Sequence, residues 1–289
     1  MCSGKMQSEN DLPQCRELLL DCENGVLAIT LNRPHKRNAM NISMVQELMA
    51  VFEQIASDRT VRAVVIEGGG GHFCAGGDIS TMNDGDTGSD HGVDAASGAP
   101  TAAQREQAAW RFNRLYGEMI ARVNHAPQVV ITLLRGAVMG GGLGLACVSD
   151  VAIADSDARF AMPETSLGLI PAQIAPFVVS RIGLTQARRL ALLAEPFDGV
   201  QALKLGLVHH EVSGEEAMSK RLDEVLARLR RCAPQATATT KALLHQVGCV
   251  DLETLLDGAA DSFFSSLNGS EGKEGTRAFA EKRKPAWAS

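Results

Sequence analysis

At 289 residues, with 45% hydrophobic side chains but 4% aromatic ones, the chain is long enough for one large domain, or a domain and a subdomain, around an aliphatic and alanine-rich core. A formal net charge of -6 and the lack of a dense Lys/Arg run argue against nucleic acid or an acidic membrane surface as the main partner, while a small anionic ligand stays allowed.

Residues 18–22 and 26–31 flank Asn24-Gly25, the favoured two-residue hairpin turn, so the chain is expected to begin antiparallel. Across 42–57, Met44, Val45, Leu48, Met49, Phe52 and Ile55 fall at helical spacing, with Ser43 and Gln46 set as a capping box. A strand is expected at 61–67, a helix at 105–123, a strand at 129–134, then a glycine turn and a short small-residue helix through Cys147. Strands alternating with helices imply a twisted, largely parallel βαβ sheet. After strands at 151–154 and 159–161 the pattern turns helical, with helices at 215–231, 234–247, 252–267 and 271–284. The expected organisation is an α/β core over 1–199 followed by a helical region over 200–289.

Residues 83–104 are rich in Gly, Ser, Asp, Thr and Ala, a composition that reads as a mobile surface loop. Because it follows Gly77 closely, it is either a lid over a site or a plain insertion. The cysteines, Cys2, Cys15, Cys22, Cys74, Cys147, Cys232 and Cys249, are odd in number and without CxxC spacing or clustered histidines, so neither a metal site nor a disulfide framework is expected. No stretch reaches the roughly 20 apolar residues that span a bilayer, and residues 1–23 carry acids where a signal peptide would need an apolar block. A reduced, cytoplasmic setting is the expectation.

The most informative feature is a pair of glycine turns, Phe73-Cys74-Ala75-Gly76-Gly77-Asp78-Ile79 and Met139-Gly140-Gly141-Gly142-Leu143-Gly144, each after an apolar run that reads as a buried strand. Glycine lets main chain approach a ligand closely, so two such turns suit an oxyanion hole built from backbone N–H groups and point to chemistry at a carbonyl. Either turn alone reads equally well as a tight strand-to-helix connection.

Together with Leu31-Asn32-Arg33-Pro34, Arg135-Gly136-Ala137, Phe160-Ala161-Met162-Pro163-Glu164 and Ala278-Phe279-Ala280-Glu281-Lys282-Arg283-Lys284, these turns make the chain resemble the crotonase (enoyl-CoA hydratase/isomerase) superfamily over nearly its whole length. The resemblance implies an α/β spiral of ββα units with a helical C-terminal trimerisation region, assembly as a homotrimer or dimer of trimers, and an acyl-CoA thioester as substrate. It implies no cofactor beyond the coenzyme A of that substrate. By position, Gly77 and Gly141 would hold the thioester oxygen, with the dipole of the helix that Gly141 starts adding positive potential. Ala75, Asp78 and Ile79 match positions bordering the CoA adenine, and Arg33, Lys36 and Arg37 match positions near its phosphates. Phe279 and Lys282 would reach CoA from the C-terminal helix, often across a subunit boundary. For any one of these charges the alternative is a solvated surface, and for Asp78 a helix N-cap.

Glu164 is the catalytic carboxylate the resemblance implies, in apolar surroundings suited to raising its pKa. The chain departs from two-glutamate hydratases at Gly144, where those enzymes carry a second Glu. Three reactions stay open: hydration of a 2-enoyl-CoA with Glu164 assisted by a neutral group, enoyl-CoA isomerisation with one base, and acyl-CoA hydrolysis. Gln173, in Pro171-Ala172-Gln173-Ile174, is the candidate to position water or a polar acyl group, with a structural glutamine as the alternative. The hydrolase resemblance is to the 3-hydroxyisobutyryl-CoA hydrolase branch, which has an Asp where this chain has Ala172. The run from Gly168 to Val179 looks most like isohexenylglutaconyl-CoA hydratases, so hydration is ranked first. An idle acyl-CoA-binding protein of this fold is the non-enzyme reading.

Overall fold

Asn24 (φ 52°) and Gly25 (φ 76°) both adopt left-handed backbone, as a tight two-residue hairpin requires. They join β1 (Leu18–Glu23) to β2 (Val26–Leu31) with Leu18 opposite Leu31 and Glu23 opposite Val26. The computed structural model describes residues 12–78 and 101–288. Within them, β3 (Ala63–Gly68), β4 (Val129–Leu134), β6 (Val151–Asp155) and β9 (His210–Val212) extend the sheet in parallel, giving the order β1-β2-β3-β4-β6-β9. The sheet therefore takes its sixth strand from beyond residue 199. A smaller sheet holds β5 (Ala137–Met139), β7 (Arg159–Ala161) and β8 (Phe197–Asp198), in the order β5-β7-β8.

Nine helices occur among the described residues: α1 (Ile42–Gln54), α2 (Ala102–Asn124), α3 (Gly141–Val148), α4 (Ala175–Leu193), α5 (Gly199–Lys204), α6 (Glu215–Leu229), α7 (Pro234–Gln246), α8 (Leu252–Asn268) and α9 (Ser270–Ala280). β3 and β4 are apolar on both faces because both are covered, as crossover connections demand of a parallel sheet. One face meets α1, α2 and α3 through Leu48, Phe52, Met119, Ile120 and Leu143. The other packs Val65, Ile131, Leu133 and Ile153 against Met218 and Leu226 of α6. No helix among the described residues is long and apolar enough to cross a membrane.

Two local expectations change. The cap of α1 is Asn41, whose side chain accepts from Met44 N at 2.9 Å, while Ser43 Oγ donates to Glu47 at 3.1 Å. A short polar side chain in extended backbone just ahead of the helix reaches the orphan N–H better than one already inside the first turn. The expected 83–104 loop lies outside the described residues up to 100, and Ala102 already begins α2.

The turn between β2 and α1 is held by Asn38, which is fully buried and in left-handed backbone (φ 56°). Its Oδ1 accepts from Arg33 N at 2.8 Å, and its Nδ2 donates to the carbonyls of Gly69 (2.9 Å) and His72 (2.7 Å). Replacement by Ala would strand three backbone groups, one buried and two partly buried, where a fully buried one costs about 1–3 kcal/mol when left unsatisfied. N38A is expected to lose on the order of 3 kcal/mol of stability in denaturant titration with a native-like slope.

Candidate active site

Three chain segments reach the same edge of the molecule in register. Cys74 N donates to Ala137 O at 2.9 Å and Met139 N to Cys74 O at 2.9 Å, while β5 and β7 align Val138 with Phe160 and Met139 with Ala161. Gly140 N then donates to Ala161 O at 3.0 Å. The first glycine turn, the second glycine turn and the Met162-Pro163-Glu164 segment thus leave three adjacent strands side by side.

The two turns touch. Gly76 has φ 101° and Gly140 has φ 48° with ψ -116°, conformations that side chains resist. A Cβ on Gly76 would lie 3.3 Å from Met139 O, and one on Gly140 would lie 3.0 Å from Glu164 Oε1 and 3.6 Å from the Gly76 Cα. Gly76 N–H donates to Cys74 Sγ at 3.3 Å, which leaves the next residue, Gly77, at the tip. Met40 N donates to Gly76 O at 2.8 Å and Asp78 N to Met40 O at 2.9 Å, so the flanking peptides are fixed while Gly77 is exposed. Gly141 is the first residue of α3, where a helix N–H has no partner within the helix. The N–H groups of Gly77 and Gly141 have no hydrogen-bond acceptor among the described residues.

Glu164 begins a 3-10 turn, Glu164–Leu167, and its carbonyl accepts from Leu169 N at 2.9 Å. Its Oε2 is buried without a partner among the described residues. Burial pushes its pKa above the ordinary 4.5, since removing water disfavours the charged form. A half-buried carboxyl beside two vacant main-chain donors is the arrangement that proton transfer next to a carbonyl needs.

Gly144 is packed from above. A Cβ there would lie 2.4 Å from Ile174 Cγ2, 2.9 Å from Tyr116 Oη and 3.0 Å from Ile120 Cδ1. Tyr116, buried on α2, donates its hydroxyl to Gly141 O at 2.6 Å. Burial pushes its pKa well above the ordinary 10.0, with Cys74, Cys147 and Glu164 adding to the shift, so the hydroxyl stays protonated. Sequence reasoning missed Tyr116. The available signal was its spacing with Asn113, Gly117 and Ile120, which sets four residues on one helical face.

Gln173 faces that same helix. Its Nε2 donates to Asn113 Oδ1 at 2.9 Å, and its Oε1 sits 2.0 Å from where a Cβ on Gly117 would be, so the missing side chain at 117 makes room for it. Arg33 is 8% exposed, with its guanidinium paired to Asp78 at 3.0 Å and Glu17 at 3.3 Å and donating to Ala39 O. Arg33 and Asp78 therefore meet each other in the interior, tying the segment before α1 to the first glycine turn. Lys36 and Arg37 are exposed beside that turn, and Arg37 O accepts from Ala75 N at 3.0 Å. Ile79 lies outside the described residues. Phe279, 86% exposed, stands near the end of α9, and Lys282 (φ 56°) lies just beyond it.

A sequence model of the family Enoyl-CoA hydratase/isomerase matches residues 21–289. Among solved structures, Pseudomonas aeruginosa AtuE superposes with a TM-score of 0.87 at 53% identity, covering 95% of this chain and 100% of that one. A probable enoyl-CoA hydratase of Bacillus subtilis is 30% identical over 267 residues, 92% of this chain and 96% of its own. A trans-2-decenoyl-[acyl-carrier-protein] isomerase of Streptococcus mutans is 29% identical over 271 residues, 93% and 97%.

The packing over residue 144 makes a sharp forecast. G144A should lose about 1–3 kcal/mol of stability through overpacking against Ile174, Tyr116 and Ile120. Chemical denaturation is the check. A neutral effect would mean that α2 and the 171–174 segment yield readily.

Proposed function

Because the chain belongs to the enoyl-CoA hydratase/isomerase family, we propose that it adds water to an α,β-unsaturated acyl-CoA through a thioester enolate. The carrying observation is the half-buried Glu164 carboxyl with its Oε1 against Gly140, beside the N–H groups of Gly77 and Gly141, which meet no acceptor among the described residues. Water oxygen bonds to the β-carbon as Glu164 takes the water's proton. The π electrons move to the thioester oxygen, where Gly77 and Gly141 N–H groups and the α3 N-terminus receive the charge. The enolate then collapses, and Glu164 returns a proton to the α-carbon. One carboxyl serves both steps, and no cofactor beyond the coenzyme A of the substrate is needed.

A glutaconyl-type substrate, such as isohexenylglutaconyl-CoA, is the reading supported by the likeness of the run from Gly168 to Val179 to that branch. The polar pair Gln173 and Asn113 beside this run suits an acyl group that carries its own polarity. Lys36 and Arg37, exposed beside the Ala75-Gly76-Gly77 turn, are the charges proposed to meet CoA phosphates. Phe279 and Lys282 are proposed to reach CoA from a neighbouring subunit of a homotrimer or dimer of trimers. The exposed apolar side chains of Leu252, Leu256, Phe263 and Phe264 on α8 support self-assembly. Enoyl-CoA isomerisation is the second reading, favoured by the single acid/base at the site, since moving a double bond needs one base and no activated water.

Incubation with 2-enoyl-, 3-enoyl-, branched glutaconyl- and 3-hydroxyacyl-CoAs, followed by mass spectrometry, separates the reactions. Gain of one water supports hydration, an isobaric product isomerisation, and free CoA hydrolysis. E164Q should lower kcat by about 10²–10⁴-fold with CoA-thioester binding retained; unchanged turnover removes Glu164 from the mechanism.

The raised pKa of Glu164 has two further consequences. Its base form is lost as pH falls through the raised value, so the acidic limb of kcat/KM should lie above an ordinary carboxyl near 4.5. The folded state also binds that proton more tightly than the unfolded chain does, so the carboxylate opposes folding once pH has risen through both pKa values. E164Q should therefore raise the Tm at neutral pH, and the advantage should shrink as pH approaches 4.5.

A further inference from the structure

Three consecutive glycines, Gly140, Gly141 and Gly142, open α3, and the middle one carries a proposed oxyanion donor. Glycine has the widest backbone freedom of any residue, so such a turn does not hold an N–H in place by itself. A catalytic donor misplaced by about 1 Å can forfeit on the order of 10²-fold in rate. The orientation of Gly141 must therefore be imposed from outside the tripeptide.

Two of the restraints belong to the strand ladder: Gly140 N donates to Ala161 O, and Gly142 packs so closely on Cys74 that a Cβ would lie 2.7 Å from the Cys74 Cβ. A third is the first bond of α3, Gly144 N to Gly140 O at 3.0 Å, which holds the near side of the Gly141 N–H peptide. The far side of Gly141 is held from α2. Tyr116 Oη donates to Gly141 O at 2.6 Å, and the ring fills the place of the absent side chain, with Cε2 at 3.1 Å and Cζ at 3.3 Å from where a Cβ would be. A single residue thus hydrogen-bonds the carbonyl and covers the Cα of the residue whose N–H faces the substrate.

We propose that Tyr116 is a positioning residue of the oxyanion hole: by holding the Gly141 carbonyl and covering its Cα it fixes the Gly141 backbone, and with it the direction of the N–H on the preceding peptide that meets the developing enolate oxygen. This rests on the reading of Gly141 as a thioester donor. The hydroxyl acts as a donor that never leaves its carbonyl, so its contribution is the same at every working pH. The same hydroxyl also lies over Gly144 together with Ile120 and Ile174, crowding that position against a larger side chain. The wall of the site and the support of the donor are one structure.

The test is Tyr116→Phe, which keeps the ring and removes the hydroxyl. With a 2-enoyl-CoA, kcat should fall about 10–100-fold with KM within about threefold, by equal factors across the pH profile. The limb set by Glu164 should stay in place. Binding of a 2-enoyl-CoA labelled with carbon-13 at the thioester carbonyl, read by infrared spectroscopy in E164Q and in E164Q/Y116F, should show a smaller downshift of the carbonyl band in the double variant. Equal kcat and equal band positions overturn the proposal. A change in Tm alone also overturns it, because a merely structural tyrosine would move nothing else.

Tyr116 is the sole tyrosine of the chain, so growth on 3-fluorotyrosine replaces it alone. If Y116F does not fold, the fluorinated protein serves instead. Its more acidic phenol is a stronger donor and should move the carbonyl band further down, and an unmoved band overturns the proposal. Failure of the parent protein to shift the labelled carbonyl at all would overturn the Gly141 reading itself, an outcome distinct from loss in the tyrosine variant only.

Discussion

The site depends on the register of one small ladder, Cys74 beside Val138 beside Phe160. Each segment leads two to four residues later to a different chemical group: a main-chain turn at Gly76-Gly77, a helix start at Gly140-Gly141, and a carboxyl at Glu164. Parallel pairing fixes the relative height of those ends to within a fraction of the strand repeat, because slipping by one residue would reverse every side chain between the faces. Phe160 stacks on Phe197 at 5.3 Å between ring centres and anchors the third strand to the fourth chain segment of this sheet. Distant parts of the sequence are thereby brought to one edge without any of them needing a long side chain.

Much of the frame was legible in the sequence because its signals are local. Asn24-Gly25 announces the hairpin, and the unbroken apolar runs of β3, β4 and β6 announce strands covered on both faces. The glycine turns could be picked out as candidate donors because backbone chemistry needs only the right turn residues, and the structure brings Gly76 and Gly140 into contact. Tyr116 was not legible in the same way. Its role arises from α2 crossing over α3, a tertiary contact between residues 25 apart in sequence, and a lone tyrosine among apolar neighbours reads as core. Arg33 and Asp78, set near CoA by the family resemblance, lie in the interior and meet each other across 45 residues of sequence, a pairing that no local signal announces.

Burial acts differently on the two kinds of acid here. Asp78 lies against the Arg33 guanidinium, which offsets the loss of water, so its charge serves the fold. Glu164 has an oxygen buried with nothing to donate to it among the described residues, so desolvation outweighs the backbone hydrogen bond that opposes it and keeps its proton affinity high. Two carboxyls of one chain thus differ in proton affinity according to whether a cation lies within reach.

The crowding above Gly144 also constrains how this chain can change. An acidic side chain at that position requires Ile174, Tyr116 and Ile120 to retreat together, and those residues come from two separate segments. Single substitutions there lose packing before any gain in chemistry can be selected. Tyr116 cannot shrink without releasing the Gly141 carbonyl, so the intermediate genotypes lose on both counts. A larger side chain at 144 is thus a matter of coordinated replacement, because the atoms that crowd it belong to two segments that must move together.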